Sequence, residues 1–176
     1  MANHLANIAQ KENIQAEPSA LELIAIKADG GLRDALSMFD QMVSFGGGQI
    51  TYDSAVDILS VLDLDTFFNV SSMLFQSHIS DALLAYDAIV KKGFDGSTFL
   101  GGLASHFRNL AVSKETKTHS LLDVSDSFRA KYIEQSQQFS FAFVLNGLSL
   151  VSEAEEKYKS SRNPRLLVEL LLMKLG

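Results

Sequence analysis

Apolar residues return every three or four positions along most of this chain, which is the spacing of one face of an α-helix. The clearest run lies within residues 32–43 and stops at the triplet Gly46-Gly47-Gly48. With 2 prolines and 11 glycines in 176 residues, the composition also favours helices over a turn-rich fold of many strands. We therefore expect an all-α protein.

Capping residues and glycines divide the helices into two groups. Four helices are predicted in the first group, the second of them opening at Pro18 and the fourth capped by Thr51. The acidic stretch 63–65 marks the end of this group. We therefore predict a small helical bundle over residues 1–62 and a second domain over residues 63–176.

The second group is predicted to contain six helices. One of them, from about residue 95 to 113, carries adjacent Gly101 and Gly102, which weaken it and suggest a close helix crossing. The polar segment 114–119 that follows is predicted to be a loop. The last helix starts at Pro164 and is apolar nearly all round, which is typical of a helix buried in a bundle or between neighbouring subunits.

The charge distribution argues against a surface that grips nucleic acid. The net charge is −6, and residues 1–60 carry three basic and eight acidic side chains, a net −5. A basic cluster near the last two helices could touch phosphate, but a solvated helix end is favoured because glutamates adjoin it. The cluster comprises Lys157, Lys159, Arg162 and Arg165, beside Glu153, Glu155 and Glu156.

The cysteine content and the length of the apolar runs indicate the cellular compartment. Cysteine is absent, so disulfides and thiolate metal sites are excluded. No apolar run reaches the length of a membrane span, and the first residues lack the basic and apolar regions of a secretory signal. We expect a cytoplasmic protein with no membrane contact.

The sequence offers little for catalysis or metal binding. His4, His78, His106 and His119 do not stand at metal-ligand spacing, and no glycine stretch has the Gly-Lys-Ser/Thr ending of a phosphate-binding loop. His106, next to Phe107, is interpreted as a histidine at a helix surface or core edge. We expect no catalytic residue, no metal and no bound cofactor, and any nucleotide role must contribute to a site built elsewhere.

One segment carries a specific resemblance. Residues 28–41 read ADGGLRDALSMFDQ and resemble the sensor 2 helix of clamp-loader ATPases of the AAA+ class. In that family the first-turn arginine, here Arg33, points at the phosphates of ATP held by a preceding domain, and a cation on a rigid helix can report whether the terminal phosphate is present. The alternative for Arg33 is an ordinary ion pair with Asp29 or Asp34.

Two later segments resemble the collar domain of the gamma/tau subunits of bacterial DNA polymerase III. They are residues 105–110, SHFRNL, and residues 163–175, NPRLLVELLLMKL. The resemblance implies an AAA+ lid followed by a collar, or oligomerisation, domain. The residues it places at subunit interfaces are Phe107, Arg108, Pro164, Arg165 and Glu169.

The resemblance also implies partners and an activity for a longer parent. The parent would bind ATP, act as an ATPase within DNA-directed DNA polymerase III, a nucleotidyltransferase, and form a ring with other gamma/tau copies and with the delta and delta-prime subunits. That ring places the sliding clamp on primed DNA. Three alternatives stay open at this point: a helical module of another AAA+ replication or repair factor, a DNA-binding helical domain, and an enzyme of another class.

Overall fold

The computed structural model describes residues 1–59 and 62–176. In these ranges the chain forms ten α-helices, one 3-10 helix and two strands of two residues each, which confirms the all-α expectation. The helices group into two compact units. Unit 1 takes the described part of Met1–Val61 together with Val124–Asp126, and unit 2 takes Leu62–Asp123 and Ser127–Gly176.

Unit 1 contains four helices around one apolar core. They are α1 (Ala2–Lys11), α2 (Pro18–Lys27), α3 (Leu32–Phe45) and α4 (Tyr52–Leu59). The largest core side chains are at most 2% exposed: Leu5, Ile24, Phe39, Met42 and Ile50. The first four come from the apolar stripes of their helices and Ile50 from the segment between α3 and α4, so burial of these side chains holds the unit together.

Local chemistry sets the helix starts in unit 1 as predicted. Pro18 occupies the first turn of α2, where its missing N–H costs nothing. The Thr51 hydroxyl accepts a hydrogen bond from the backbone N–H of Ser54, 3.2 Å away, and so caps α4.

The sequence analysis did not predict the pair of parallel strands β1 (Gln15–Ala16) and β2 (Gln49–Ile50), in which Gln15 stands opposite Gln49. Strands this short leave no alternating pattern to read.

Unit 2 contains the remaining helices, except that Asp126, the first residue of α8, groups with unit 1. They are α5 (Leu64–Phe75), α6 (Ile79–Lys91), α7 (Gly96–Ser113), α8 (Asp126–Gln138), α9 (Phe141–Tyr158) and α10 (Pro164–Leu175). The predicted loop at 114–119 is corrected in part, because a 3-10 helix spans Thr116–Leu121. The Thr118 hydroxyl donates to the carbonyl of Val112, 2.6 Å away, which folds this polar segment back onto the end of α7.

Two glycines allow the close packing of α7. A methyl group placed on Gly102 would overlap the ring of Phe67, lying 2.8 Å from its Cε1 atom. A methyl group placed on Gly147 of α9 would lie 2.6 Å from Cε1 of Phe107. The suggested close crossing is therefore present at Gly102, where an aromatic ring from α5 occupies the space of a side chain.

The division of the sequence into 1–62 and 63–176 stays a prediction. The predicted boundary falls beside Ser60 and Val61, which lie outside the described residues, and the prediction did not anticipate that 124–126 groups with unit 1.

Among the described helices, no single one is long and apolar enough to cross a membrane. Helices α4 and α5 reach the required length and hydropathy only when they are taken together.

Candidate functional site

Arg33 lies in the first turn of α3 and is exposed to solvent. Across the described residues its side chain has no hydrogen bond and no ion pair, so the alternative pairing with Asp29 or Asp34 does not form. The Asp34 carboxylate instead lies over Gly31, where a methyl group would be 2.7 Å from its Oδ2 atom. That position suits an acid, because the N-terminus of a helix carries partial positive charge.

Exposed apolar side chains flank the turn between α2 and α3. Ile26, near the end of α2, is 59% exposed, and Leu32, next to Arg33, is 48% exposed. An exposed cation in the same turn region as two exposed apolar side chains suits a surface that another domain covers. The α2–α3 turn, here residues 26–33, is therefore the first candidate site.

Phe107 does not have the predicted interface role. Its side chain is 0% exposed and packs against the Phe143 ring, with 5.8 Å between the ring centroids, and against Gly147. A fully buried ring offers no surface to a neighbouring subunit in this fold. Its assignment to an interface is corrected: Phe107 forms part of the core of unit 2.

Arg108, next in the chain, is exposed but already engaged. Its Nη1 atom donates to the carbonyl of Leu121 at 2.9 Å and to Oδ1 of Asn109 at 3.1 Å. These bonds tie the 3-10 helix to α7. The interface role of Arg108 stays a prediction, and the structure gives this side chain a stabilising role within unit 2.

The start of α10 is built from the predicted residues Pro164, Arg165 and Glu169. Asn163 caps the helix by accepting from the N–H of Leu166 at 3.1 Å, and Pro164 follows in the first turn. Arg165 donates from Nε to Glu169 and from Nη2 to Asp87 of α6, at 2.8 Å in both cases. The residues of this sequence motif thus stabilise the start of α10 and its contact with α6. Their contact with other subunits stays a prediction.

The ion pairs of α10 also bear on the DNA-binding alternative. Asp87 accepts from Lys91 as well as Arg165, and these two hydrogen bonds hold the pKa of its carboxyl below the usual range. In the basic cluster, Arg165 is therefore committed to carboxylates, and Lys157 lies 3.7 Å from Glu153. Two of the four predicted phosphate contacts are already paired with acids, which weakens that interpretation.

A row of partly exposed apolar side chains runs along α10. Leu166, Leu170 and Met173 are 44%, 45% and 45% exposed, at the spacing of one helix face. The opposite side of the helix is buried through Val168, Leu171, Leu172 and Leu175. Helix α10 thus has a core face and an uncovered apolar row, which is the second candidate site.

His106 is a buried residue that sequence reasoning placed wrongly. It is 1% exposed, and its ring nitrogens lie within hydrogen-bond distance of Ser71, Tyr132 and Gln135. Burial lowers the pKa of His106 to about 3, so the ring is neutral near neutral pH. The sequence feature that could have predicted its burial is its position on α7. His106 lies three residues after Leu103 and four before Leu110, which are both core residues.

Comparisons with known proteins agree with this architecture. Residues 1–48 match the family described as DNA polymerase III clamp loader subunit, ATPase lid domain, and residues 50–176 match DNA polymerase III subunits gamma and tau domain III. Together with the helical fold, these matches define a subunit of the DNA polymerase III clamp loader. Because the second match covers most of the chain, the chain belongs to the gamma/tau family, and the predicted resemblance is confirmed.

The curated relatives that the chain matches are longer proteins. The DNA polymerase III subunit tau of Bacillus subtilis is 26% identical over 179 residues, which cover 99% of this chain and 31% of that protein. Protein STICHEL-like 2 of Arabidopsis thaliana is 25% identical over 176 residues, 100% of this chain and 20% of that protein. The chain thus spans between a fifth and a third of these relatives.

A solved structure supports the fold. The DNA clamp loader delta protein of Bacillus subtilis superposes with a TM-score of 0.58 over 99% of this chain and 55% of that chain, at 20% sequence identity. At this identity the likeness concerns the fold alone.

Proposed function

We propose that this chain provides the lid and the subunit-assembly region of a gamma/tau clamp-loader subunit, and that it couples ATP state to the loading of a sliding clamp in DNA replication. ATP is bound by the full-length parent, and this segment contributes the sensor 2 side chain Arg33. The partners are other gamma/tau copies and the delta and delta-prime subunits, with the sliding clamp and primed DNA reached through the full assembly in the cytoplasm.

The observation that carries the proposal is the state of Arg33. A positive charge in the first turn of a helix is disfavoured by the helix dipole, by roughly 0.3–1 kcal/mol. Nothing among the described residues offsets that cost, because Arg33 has no carboxylate partner. An arginine that does not stabilise its own helix and projects from an apolar-edged turn is well placed to meet an anion held by another domain.

The test replaces Arg33 in the full-length subunit. Removing a charged hydrogen bond to phosphate costs roughly 1.5–3 kcal/mol, so Arg33→Ala should weaken ATP binding about ten- to a hundred-fold. Arg33→Lys should recover only part of this, because lysine lacks the planar guanidinium. ATP binding is measured by titration calorimetry and ATP turnover in the assembled loader.

The control is Arg162→Ala, which removes an exposed arginine between α9 and α10. It should leave ATP binding unchanged. If Arg33→Ala binds and hydrolyses ATP as the wild type does, the sensor role of Arg33 is wrong.

The exposed row on α10 supports the assembly part of the proposal. Burying a leucine or methionine side chain completely stabilises by roughly 1.5–3 kcal/mol, so covering the uncovered half of each of Leu166, Leu170 and Met173 contributes about 1 kcal/mol. Leaving three such groups in water is unfavourable unless a partner covers them. We propose that sister subunits do so.

Leu166→Asp tests this surface with little cost to the helix, because an acid in the first turn of α10 is favourable. Burying an unpaired carboxylate costs several kcal/mol, so assembly with delta and delta-prime should weaken at least about a hundred-fold in sedimentation experiments. Leu121→Asp, at a residue that is 52% exposed in the 3-10 helix, is the matched control. Equal assembly by the wild type and Leu166→Asp would refute the proposed surface.

A further inference from the structure

Half of the buried residues of helix α8 are polar. Its buried residues are Phe128, Tyr132, Gln135 and Ser136, of which two are polar. Phe128 and Tyr132 pack on Phe68 of α5, with ring centroids 6.4 Å and 4.6 Å apart. The other helices of unit 2 bury mainly apolar side chains, so α8 depends more than they do on hydrogen bonds for its position.

Those hydrogen bonds converge on His106 and join α8 to both α5 and α7. The Nε2 atom of His106 lies 3.1 Å from Oε1 of Gln135 and 2.9 Å from Oγ of Ser71. The amide nitrogen of Gln135 donates to the carbonyl of Phe68 at 2.8 Å and to Oγ of Ser72 at 2.9 Å. Oε1 of Gln135 is therefore an acceptor, to which the Ser71 hydroxyl donates at 3.3 Å. Because Nε2 of His106 lies 3.1 Å from the same acceptor, we place the ring proton on Nε2.

The other ring nitrogen of His106 accepts a hydrogen bond. With the proton on Nε2, Nδ1 is an acceptor, and the Tyr132 hydroxyl 3.2 Å away donates to it. In this arrangement neutral His106 makes a hydrogen bond with each of its ring nitrogens. A second proton on Nδ1 would require the Tyr132 hydroxyl to turn from donor to acceptor, and it would place a charge in a site that is 1% exposed.

We propose that α8 is a latch helix, which separates from α5 and α7 while the rest of unit 2 stays folded, and that neutral His106 keeps it closed. Once α8 leaves, the His106 ring meets water and can accept a proton. Acid therefore favours the open form.

No charged side chain in the described part of the chain compensates a proton on His106. On α5, Asp65 pairs with Lys131 of α8 at 2.6 Å. On α7, Arg108 donates to Leu121 and Asn109, and Lys114 just beyond its end donates to the carbonyls of Ser136 and Phe139. On α8, Arg129 donates to the carbonyls of His119 and Leu122.

The sign of the pH effect follows from two protonation states. In the closed form the pKa of His106 is lowered to about 3, whereas in the open form the exposed imidazole has its ordinary value, near 6.5. The closed form has its full stability above about pH 6.5 and loses it as the pH falls. The equilibrium constant for opening should rise about tenfold for each pH unit below that value.

Hydrogen exchange on the whole chain, with rates corrected for intrinsic exchange, tests the proposal. At neutral pH we expect α8 amides to be at least about tenfold less protected than α9 amides and to depend less on low urea concentrations, as a local opening requires. Between about pH 6.5 and 4.5, protection of α8 should fall about fifty-fold. If α8 and α9 share one protection factor and one urea dependence, the latch does not exist.

Three variants test whether His106 and its hydrogen bond to Tyr132 cause the pH dependence and the closure of α8. His106→Gln should flatten the pH dependence of α8, while His78→Gln, at an exposed histidine before α6, should leave it intact. Tyr132→Phe keeps the ring contact with Phe68 but removes the donor to Nδ1, so α8 protection should fall about tenfold or more at neutral pH. An unchanged pH slope in His106→Gln, or unchanged protection in Tyr132→Phe, overturns the role of His106.

Discussion

The adjacent glycines of α7 should respond to the same substitution with opposite signs. Replacing either by alanine removes backbone freedom from the unfolded chain and should stabilise the helix by roughly 0.5–1 kcal/mol. At Gly101 a methyl group would lie 3.4 Å from the flexible carboxylate of Glu155, which can move aside. Gly101→Ala should therefore keep most of that gain.

At Gly102 the packing cost exceeds the helix gain. The methyl group would overlap Phe67, which is 3% exposed and stacks on Phe99 with ring centroids 6.0 Å apart. Overpacking a core costs about 1–3 kcal/mol, so Gly102→Ala should destabilise unit 2 by about 1–2 kcal/mol in total.

Urea unfolding followed by circular dichroism measures both variants. The transition midpoint of Gly101→Ala should rise and that of Gly102→Ala should fall, with unchanged slopes. Adding Phe67→Leu to Gly102→Ala should be less damaging than the sum of the two single changes, because the smaller side chain leaves room for the methyl group. Stabilisation by Gly102→Ala, or strictly additive effects with Phe67→Leu, would refute the packing argument.

Two further predictions concern residues near the candidate sites. Phe107→Ala should lower the free energy of unfolding of unit 2 by about 3–5 kcal/mol, because it empties a fully buried site, and chemical denaturation will show whether Phe107 is a core residue. Asn163→Ala should cost about 1 kcal/mol, since it removes the cap of α10, whereas Asn163→Ser should cost much less; the difference between their unfolding midpoints measures the cap.

The local features were predictable from the sequence because local chemistry decides them. Pro164 and Thr51 set helix starts through the backbone geometry and hydrogen bonds of their own turns. The two strands were not predictable, since the register of Gln15 with Gln49 depends on how α1 to α4 bring distant segments together. Local sequence patterns do not indicate pairing between residues that lie far apart in the sequence.

The candidate sites show a second limit of sequence reasoning. Periodicity identifies the apolar face of a helix but not what covers it, so Phe107 and Leu166 look alike in sequence. In the fold Phe107 is 0% exposed and Leu166 is 44% exposed. The prediction for His106 was wrong for a related reason. Its hydrogen-bond partners come from α5 and α8, and the sequence of α7 alone indicates neither contact.

The two proposed functions can be tested separately because they depend on different units. Arg33 belongs to unit 1 and the exposed row of α10 to unit 2. Neither contributes to the core of its own unit: Arg33 has no partner among the described residues, and Leu166, Leu170 and Met173 lie outside the buried face of α10. Substituting them should therefore change a binding reaction and leave folding intact. A variant that loses ATP binding yet assembles normally, and one that does the reverse, would show that the lid and the assembly surface act as distinct parts of the clamp-loader subunit.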